Sequence, residues 1–203
     1  MAYGINIVND SGYVQIDENY SNYSLIASGT AASGTRIYYP SGYSANNAIF
    51  MMRGAYGAKI YKYGRDLTYT EIRGATFEYK IYGKTTDASQ STSGFGLKVF
   101  NSAGACTFNS LDSTLRIQGS MIVGQDISLP YTIPSPGYHP FILADPIKPI
   151  GRRAVSQNES VLLSPTCTFN SNNSLYLVTE GIESMGIPVS SLWANNRSII
   201  IGR

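Results

Sequence analysis

The sequence predicts an all-β protein: an antiparallel β-sandwich, jelly-roll-like, with repeated β-hairpins and a proline-rich extended arm. Three observations predict it. Short runs rich in aromatic and branched residues recur with apolar positions at a period of two, the period of a strand and not of a helix. Twenty glycines punctuate those runs, and no amphipathic pattern sustains three helical turns. One hairpin pattern is written twice, at Tyr3–Asp17 and at Phe95–Ser110.

The first copy reads YGINIVNDSGYVQID and the second FGLKVFNSAGACTFNS. Aligned without a gap, Gly4 meets Gly96, Asn9 meets Asn101 and Gly12 meets Gly104. Ile5 and Ile7 meet Leu97 and Val99, while Val14 and Ile16 meet Cys106 and Phe108. In each Asn-x-x-Gly the glycine stands where a type I turn with a bulge needs a left-handed residue, and the asparagine can bond back to the turn backbone. Each copy therefore reads as one hairpin with one apolar face, and a lone hairpin is marginal in water, so each needs a second layer to lie on. A weaker echo, CTFNS, stands at Cys106–Ser110 and at Cys167–Ser171, each followed by a strand-like run.

Between and after the copies, the strand-like runs are Thr35–Tyr39, Ala48–Arg53, Ala58–Tyr63, Leu115–Gly124, Ser174–Gly181 and Arg197–Arg203. The run ATFEYKIYG puts Phe77, Tyr79 and Ile81 on one face and Glu78, Lys80 and Tyr82 on the other. The polar stretch Gly83–Gly94 is expected to be a long loop joining the preceding strand to the second hairpin as its pairing partner. Residues 1–203 then form a single β-sandwich domain, the alternative being a split near 84–94 into two β units. Residues 129–151 hold six of the nine prolines and predict an extended segment that is no central strand, because proline lacks a ladder donor. It is expected either to pack on its own sandwich or to reach a neighbouring subunit.

Composition bounds the function. With 203 residues the chain can bury a real core without metal or disulfide. Charged residues are only 14%, below the usual quarter, and the 16 tyrosines offer apolar area with a hydroxyl, a combination suited to permanent contacts. A net charge of +2 argues against nucleic acid as a partner. No run approaches a membrane span of about 20 apolar residues, so no membrane insertion is expected. The N-terminus reads as neither signal nor transit peptide, which places synthesis in a cytoplasm where Cys106 and Cys167 stay reduced. Both fall on inward strand phases and read as small apolar side chains; their spacing does not decide whether they pair.

The sequence predicts no enzyme: no catalytic residue, no cofactor and no metal site. Its one histidine, His139, is expected to be solvated or hydrogen-bonded, and no metal-ligand spacing surrounds it. Glycosidase chemistry needs two facing carboxylates; Asp66 with Glu71, or Glu180 with Glu183, are candidates that nothing in the pattern singles out. The candidate partner-binding residues are Tyr38, Tyr39, Tyr43, Tyr138 and Phe141, with Tyr56, Tyr61 and Tyr63 as extensions of a stacking surface.

The motif Tyr/Phe-Gly-Ile/Leu-x-Val-x-Asn-x-x-Gly-x-x-x-Phe-Asn/Asp-Ser, carried by Phe95–Ser110, resembles the hairpin of small tail-associated proteins of tailed bacteriophages, chiefly tail-tip and baseplate proteins. STLRI after it, FEYKIYG before it and the N-terminal MAYGINIVNDSG extend the resemblance over about a third of the chain. The resemblance implies a structural virion protein of the tail, made in the host cytoplasm, whose partners are copies of itself and other phage tail proteins. The alternative expectation is a carbohydrate-binding module that recognises a host-surface glycan.

Overall fold

The structure, a computed structural model, describes residues 6–8, 14–17, 22–85, 93–123, 131–133, 137–143, 151–156, 159–185 and 197–202. Among them every regular element is a strand, and every strand pair is antiparallel. In chain order they begin with β1 (Asn6–Val8), β2 (Val14–Asp17), β3 (Tyr23–Ala31), β4 (Arg36–Tyr38), β5 (Ala48–Gly54) and β6 (Lys59–Arg65). There follow β7 (Tyr69–Arg73), β8 (Phe77–Lys84), β9 (Lys98–Phe100), β10 (Cys106–Asn109), β11 (Ile117–Val123) and β12 (Tyr131–Ile133). The last are β13 (Phe141–Leu143), β14 (Gly151–Ser156), β15 (Glu159–Phe169), β16 (Leu175–Met185) and β17 (Arg197–Gly202). No helix among the described residues is long and apolar enough to cross a membrane.

Two sheets carry most of the chain. One has the order β11-β17-β13-β5-β8-β3 and the other β12-β16-β15-β6-β7-β4, with β14 also paired to β15. Strands that precede the polar stretch 84–94 pair with strands that follow it: β5 with β13, and β6 with β15. The preceding strand β8 takes β3 and β5 as partners, and the second hairpin, expected to pair with it, forms its own two-stranded sheet instead.

Period-two alternation decides where the core sits. Phe50 and Met52 of β5, Phe77 and Ile81 of β8, and Ile142 of β13 share one face of the six-stranded sheet. They meet Ile37, Ile60, Ile72, Cys167, Phe169 and Leu175 of the seven-stranded sheet in one buried cluster. Each fully buried Phe or Ile side chain contributes roughly 1.5–3 kcal/mol relative to exposure. On the opposite face of the six-stranded sheet, Met51, Tyr82 and Phe141 form a second cluster, with Leu25, Leu115 and Leu143 packed against it. Cys106 and Cys167 are both buried and free; burial raises both thiols, Cys167 up to about 12.

The two hairpins share a register. Asn6, Ile7 and Val8 oppose Asp17, Ile16 and Val14; Lys98, Val99 and Phe100 oppose Asn109, Phe108 and Cys106. Both shift register at the same place, leaving Gln15 and Thr107 as the extra residue of a bulge. The first turn, Asn9–Gly12, lies outside the described residues, as does Ile5. In the second turn Gly104 has φ 79°, and Asn101 Oδ1 accepts from the Ala103 and Ala105 amides at 3.0 and 2.8 Å. The β15–β16 turn repeats this geometry. There the Asn170 amide bonds the Ser174 carbonyl, and Asn173, at φ 63°, takes the glycine's place.

The second hairpin is not apolar on one face alone. Val99 and Cys106 are buried, but so are Thr107 and Asn109, while Phe95, Leu97 and Phe100 are exposed. The bulge sends the two consecutive residues Cys106 and Thr107 inward, and a polar clasp receives the second phase. The Thr107 carbonyl accepts from the Asn22 amide, and the Thr85 amide and hydroxyl both donate to the Asn22 carbonyl at 2.7 Å. The Ser24 and Thr85 hydroxyls meet at 2.8 Å, and Ser24 and Asn109 donate to opposite oxygens of Asp112. Buried groups of this kind are tolerated because they are satisfied.

The proline-rich segment also departs from expectation. Phe141–Leu143 is an internal strand, paired to β17 on one side and β5 on the other, and Tyr131–Ile133 pairs with β16. Both triplets are proline-free, and three residues suffice for a short ladder between flanking prolines. Pro165 lies inside β15, between the residues that pair with β14 (Glu159–Leu163) and those that pair with β6 (Cys167–Thr168), and among the described residues no ladder on that side uses its position.

Candidate functional site

The seven-stranded sheet buries one face in the shared cluster, and its other face is built from the alternate residues. Because Ile37 and Thr70 point inward, Arg36 and Tyr38 of β4 and Tyr69, Glu71 and Arg73 of β7 share the outward face. Register sets Arg36 opposite Glu71 and Tyr38 opposite Tyr69, and β6 brings Tyr61 opposite Arg73. Lys59, Thr168 and Tyr176 continue the same face across β6, β15 and β16.

At its centre one carboxylate organises two guanidinium groups. Arg36 Nε donates to Glu71 Oε2 at 3.3 Å and Arg73 Nε to Glu71 Oε1 at 2.9 Å. Glu71 is buried to 7% side-chain exposure, while Arg36 keeps 56%. The Arg36 guanidinium also lies 4.8 Å from the Tyr69 ring centre, a cation–π distance. The hydrogen bond to Glu71 and the field of Tyr69 raise the Arg36 pKa above its ordinary value. Tyr38 packs on Tyr69 with ring centres 5.8 Å apart and remains 63% exposed. The face is thus aromatic and basic, held in place by cross-strand pairs, and it ends at β4, an edge strand of three residues.

The five candidate residues do not form one patch. Tyr38 stands on this face. Tyr39 points the opposite way into the shared cluster, its hydroxyl 3.1 Å from that of Thr70. Tyr43 is half-buried against the same cluster. Tyr138 is half-buried, and Phe141 is buried on the outer side of the six-stranded sheet with Arg53 and Lys80 over its ring at 4.3 and 4.7 Å. Of the extensions, Tyr61 joins the face and Tyr56 does not; the side chain of Tyr63 lies outside the described set. Tyr69, Glu71 and Arg73 were not singled out by sequence as a site, although the alternation of Tyr69-Thr-Glu-Ile-Arg73 about the inward Thr70 and Ile72 carries the signal.

The carboxylate pairs resolve separately. Asp66 accepts from the Thr68 amide and hydroxyl in a turn, Glu71 is engaged by arginine, and the side chains of Glu180 and Glu183 lie outside the described set. Among the described residues no group of three or more His, Cys, Asp or Glu is placed to hold a metal ion.

His139 is half-buried and, as expected, hydrogen-bonded, to the Gly54 backbone. Its ring stacks on Tyr56 at 4.3 Å and meets the edge of Phe169 at 5.4 Å, and among the described residues its buried Nε2 has no hydrogen-bond partner. Burial, then the positive charge of Arg53, lowers its pKa below the ordinary 6.5. The unfolded chain therefore takes up the proton first as pH falls, so the stability linked to this group is full above pH 6.5 and is lost as pH drops through the folded value. The urea midpoint is expected to fall between about pH 7 and about pH 5, and His139→Gln is expected to flatten that slope. An unchanged slope in the variant would assign the pH dependence to other groups.

In comparison with known proteins, the chain matches no protein-family model, no curated protein and no solved structure. What fold and face define together is a class: an all-β protein presenting a tyrosine- and arginine-lined sheet surface.

Proposed function

We propose that the chain is a structural component of a bacteriophage virion, in the tail tip or baseplate, acting by self-assembly and by contact with other tail proteins. In this reading the two larger sheets are the layers of a stiff antiparallel sandwich, and the outward Tyr38–Tyr69–Arg36–Arg73 face is the contact surface. That face is the observation that carries the reading. Tyrosine and arginine are among the residues most enriched at the energetic centres of protein interfaces, and here Glu71 holds both arginines before any partner arrives. The adjoining edge strand and the exposed Phe95, Leu97 and Phe100 of the second hairpin add surface suited to burial against neighbours. The virion setting comes from the resemblance of Phe95–Ser110 to tail-associated proteins.

Sedimentation velocity on the purified chain tests it. The wild type is expected to sediment as a concentration-dependent oligomer. The double variant Arg36→Ser, Tyr38→Ser changes two exposed side chains and is expected to dissociate at least about thirtyfold more readily, the effect of losing a hot spot. A wild type that stays monomeric throughout, or a variant that assembles equally well, rejects this face as the contact. The second reading, a carbohydrate-binding module, is favoured by a polar cavity on the other side of the six-stranded sheet.

A further inference from the structure

We propose that β4 pairs antiparallel with β4 of a second copy of this chain, about a two-fold axis at Ile37, and so joins two seven-stranded sheets edge to edge. The proposal deepens the assembly reading and rests on it: the partner is another copy, and the contact is a backbone ladder.

Backbone direction comes first. The Tyr39 amide donates to the Thr68 carbonyl at 2.9 Å, and Ile37, two residues earlier, stands opposite Thr70 in the same register. Backbone groups along a strand alternate sides, so the amides and carbonyls of Arg36 and Tyr38 point away from β7. That side is open to solvent: Arg36, Tyr38 and residues 32–35 before them are all exposed. Among the described residues no strand lies beyond β4.

The edge is also poorly guarded. Sheets commonly protect an edge with a bulge, a proline, an inward-pointing charge or a free lysine. β4 reads Arg-Ile-Tyr, runs along β7 without a register shift, and turns the buried Ile37 inward. Its single charge, Arg36, is already bonded to Glu71.

The strand is complementary to itself. An antiparallel copy centred on Ile37 sets Arg36 opposite Tyr38 of the partner subunit, and Tyr38 opposite Arg36 of the partner subunit. A cation meets an aromatic ring twice, the kind of contact that Arg36 makes with Tyr69 at 4.8 Å within the chain. In the same register the outward amides and carbonyls of residues 36 and 38 face their counterparts, while Ile37, whose backbone groups turn to Thr70, falls at the non-hydrogen-bonded centre. Neighbouring registers are worse. Centred on Arg36, the ladder opposes arginine to arginine; centred on Tyr38, it sets Pro40, which has no amide, opposite Arg36. Glu71 tempers the repulsion between the two Arg36 side chains that the axis brings near each other. A foreign strand would need both complements by coincidence, whereas a second copy supplies them by symmetry. The two-fold occupies both β4 edges at once, so this pairing closes at a dimer.

Amide hydrogen exchange, read residue by residue by NMR on the full chain over a dilution series followed by sedimentation velocity, tests the proposal. The Arg36 and Tyr38 amides are expected to exchange at least about tenfold more slowly in the associated state, and to do so together, because a ladder amide is protected and a free edge amide is not. Two variants at the exposed Tyr38 test the register. Tyr38→Arg opposes arginine to arginine across the axis, and Tyr38→Glu opposes glutamate to arginine. The second is expected to dimerise at least about tenfold more tightly than the first at low salt, with the difference shrinking as salt rises. Association that leaves both wild-type amides at their dilute-solution rates overturns the proposal and leaves self-assembly through the outward face standing. A wild type that stays monomeric throughout overturns both. Equal dimerisation of Tyr38→Arg and Tyr38→Glu overturns the pairing centred on Ile37.

Discussion

Phe50→Ala is expected to lower the free energy of unfolding by about 3–5 kcal/mol, the range for removing a large aromatic side chain from a packed core. Phe50 is fully buried in β5, an internal strand between β13 and β8. Its ring stacks on Tyr79 with centres 5.8 Å apart and meets the edge of Tyr39 at 6.3 Å. Its neighbours in the cluster come from both larger sheets, so truncation removes contacts between sheets as well as within one. A domain of this size is commonly stable by about 5–15 kcal/mol, and the loss is a large part of that. Urea unfolding followed by fluorescence reads it as a fall in the midpoint at unchanged slope. A loss below about 1 kcal/mol would mean that this ring is not in a close-packed core.

Gly74→Ala is expected to be comparably damaging for a different reason. Gly74 follows β7 at φ +110°, and a Cβ there would stand 2.2 Å from the Lys59 carbonyl oxygen. That obstacle is backbone belonging to the start of β6, so no side-chain rotation relieves it. The unfavourable dihedral alone costs roughly 1–3 kcal/mol, and displacement of β6 from β7 adds to it. Gly42→Ala is the control: its φ is +84°, but nothing lies within 4 Å of the added methyl, so only the conformational cost applies. Thermal unfolding should rank the two with Gly74→Ala clearly lower. Equal melting temperatures would remove the steric argument.

Local chemistry was legible in the sequence and distant pairing was not. The turn at Asn101–Gly104 follows from its own four residues, since left-handed backbone and side-chain return bonds need nothing from elsewhere. The faces of β8 follow from alternation alone. By contrast β3, with Ser, Ala, Gly and Thr over much of its length, has little apolar signal and exists because β8 lies beside it. The internal position of Phe141–Leu143 depends on β5 and β17, which no reading of the prolines supplies. The face around Tyr38 and Tyr69 shows the same division. Tyr38 was visible on its own strand, but the arginine pair around Glu71 needs a ladder between segments 35 residues apart.

The polar clasp at Asn22, Ser24, Thr85, Thr107 and Asp112 has a kinetic consequence. It ties Asn22 and Ser24 to Thr85 and Asp112 across 61 to 88 residues, and the Thr107 carbonyl and Asp112 Oδ2 find their partners only when β3 is in place. The β9–β10 ribbon can close its own turn in about 1–10 μs, but its docking must wait until β3 and β8 have zipped together. The hairpin is therefore a late keystone and no nucleus, and amide hydrogens around Thr107 should exchange through an opening that leaves the rest of the six-stranded sheet protected.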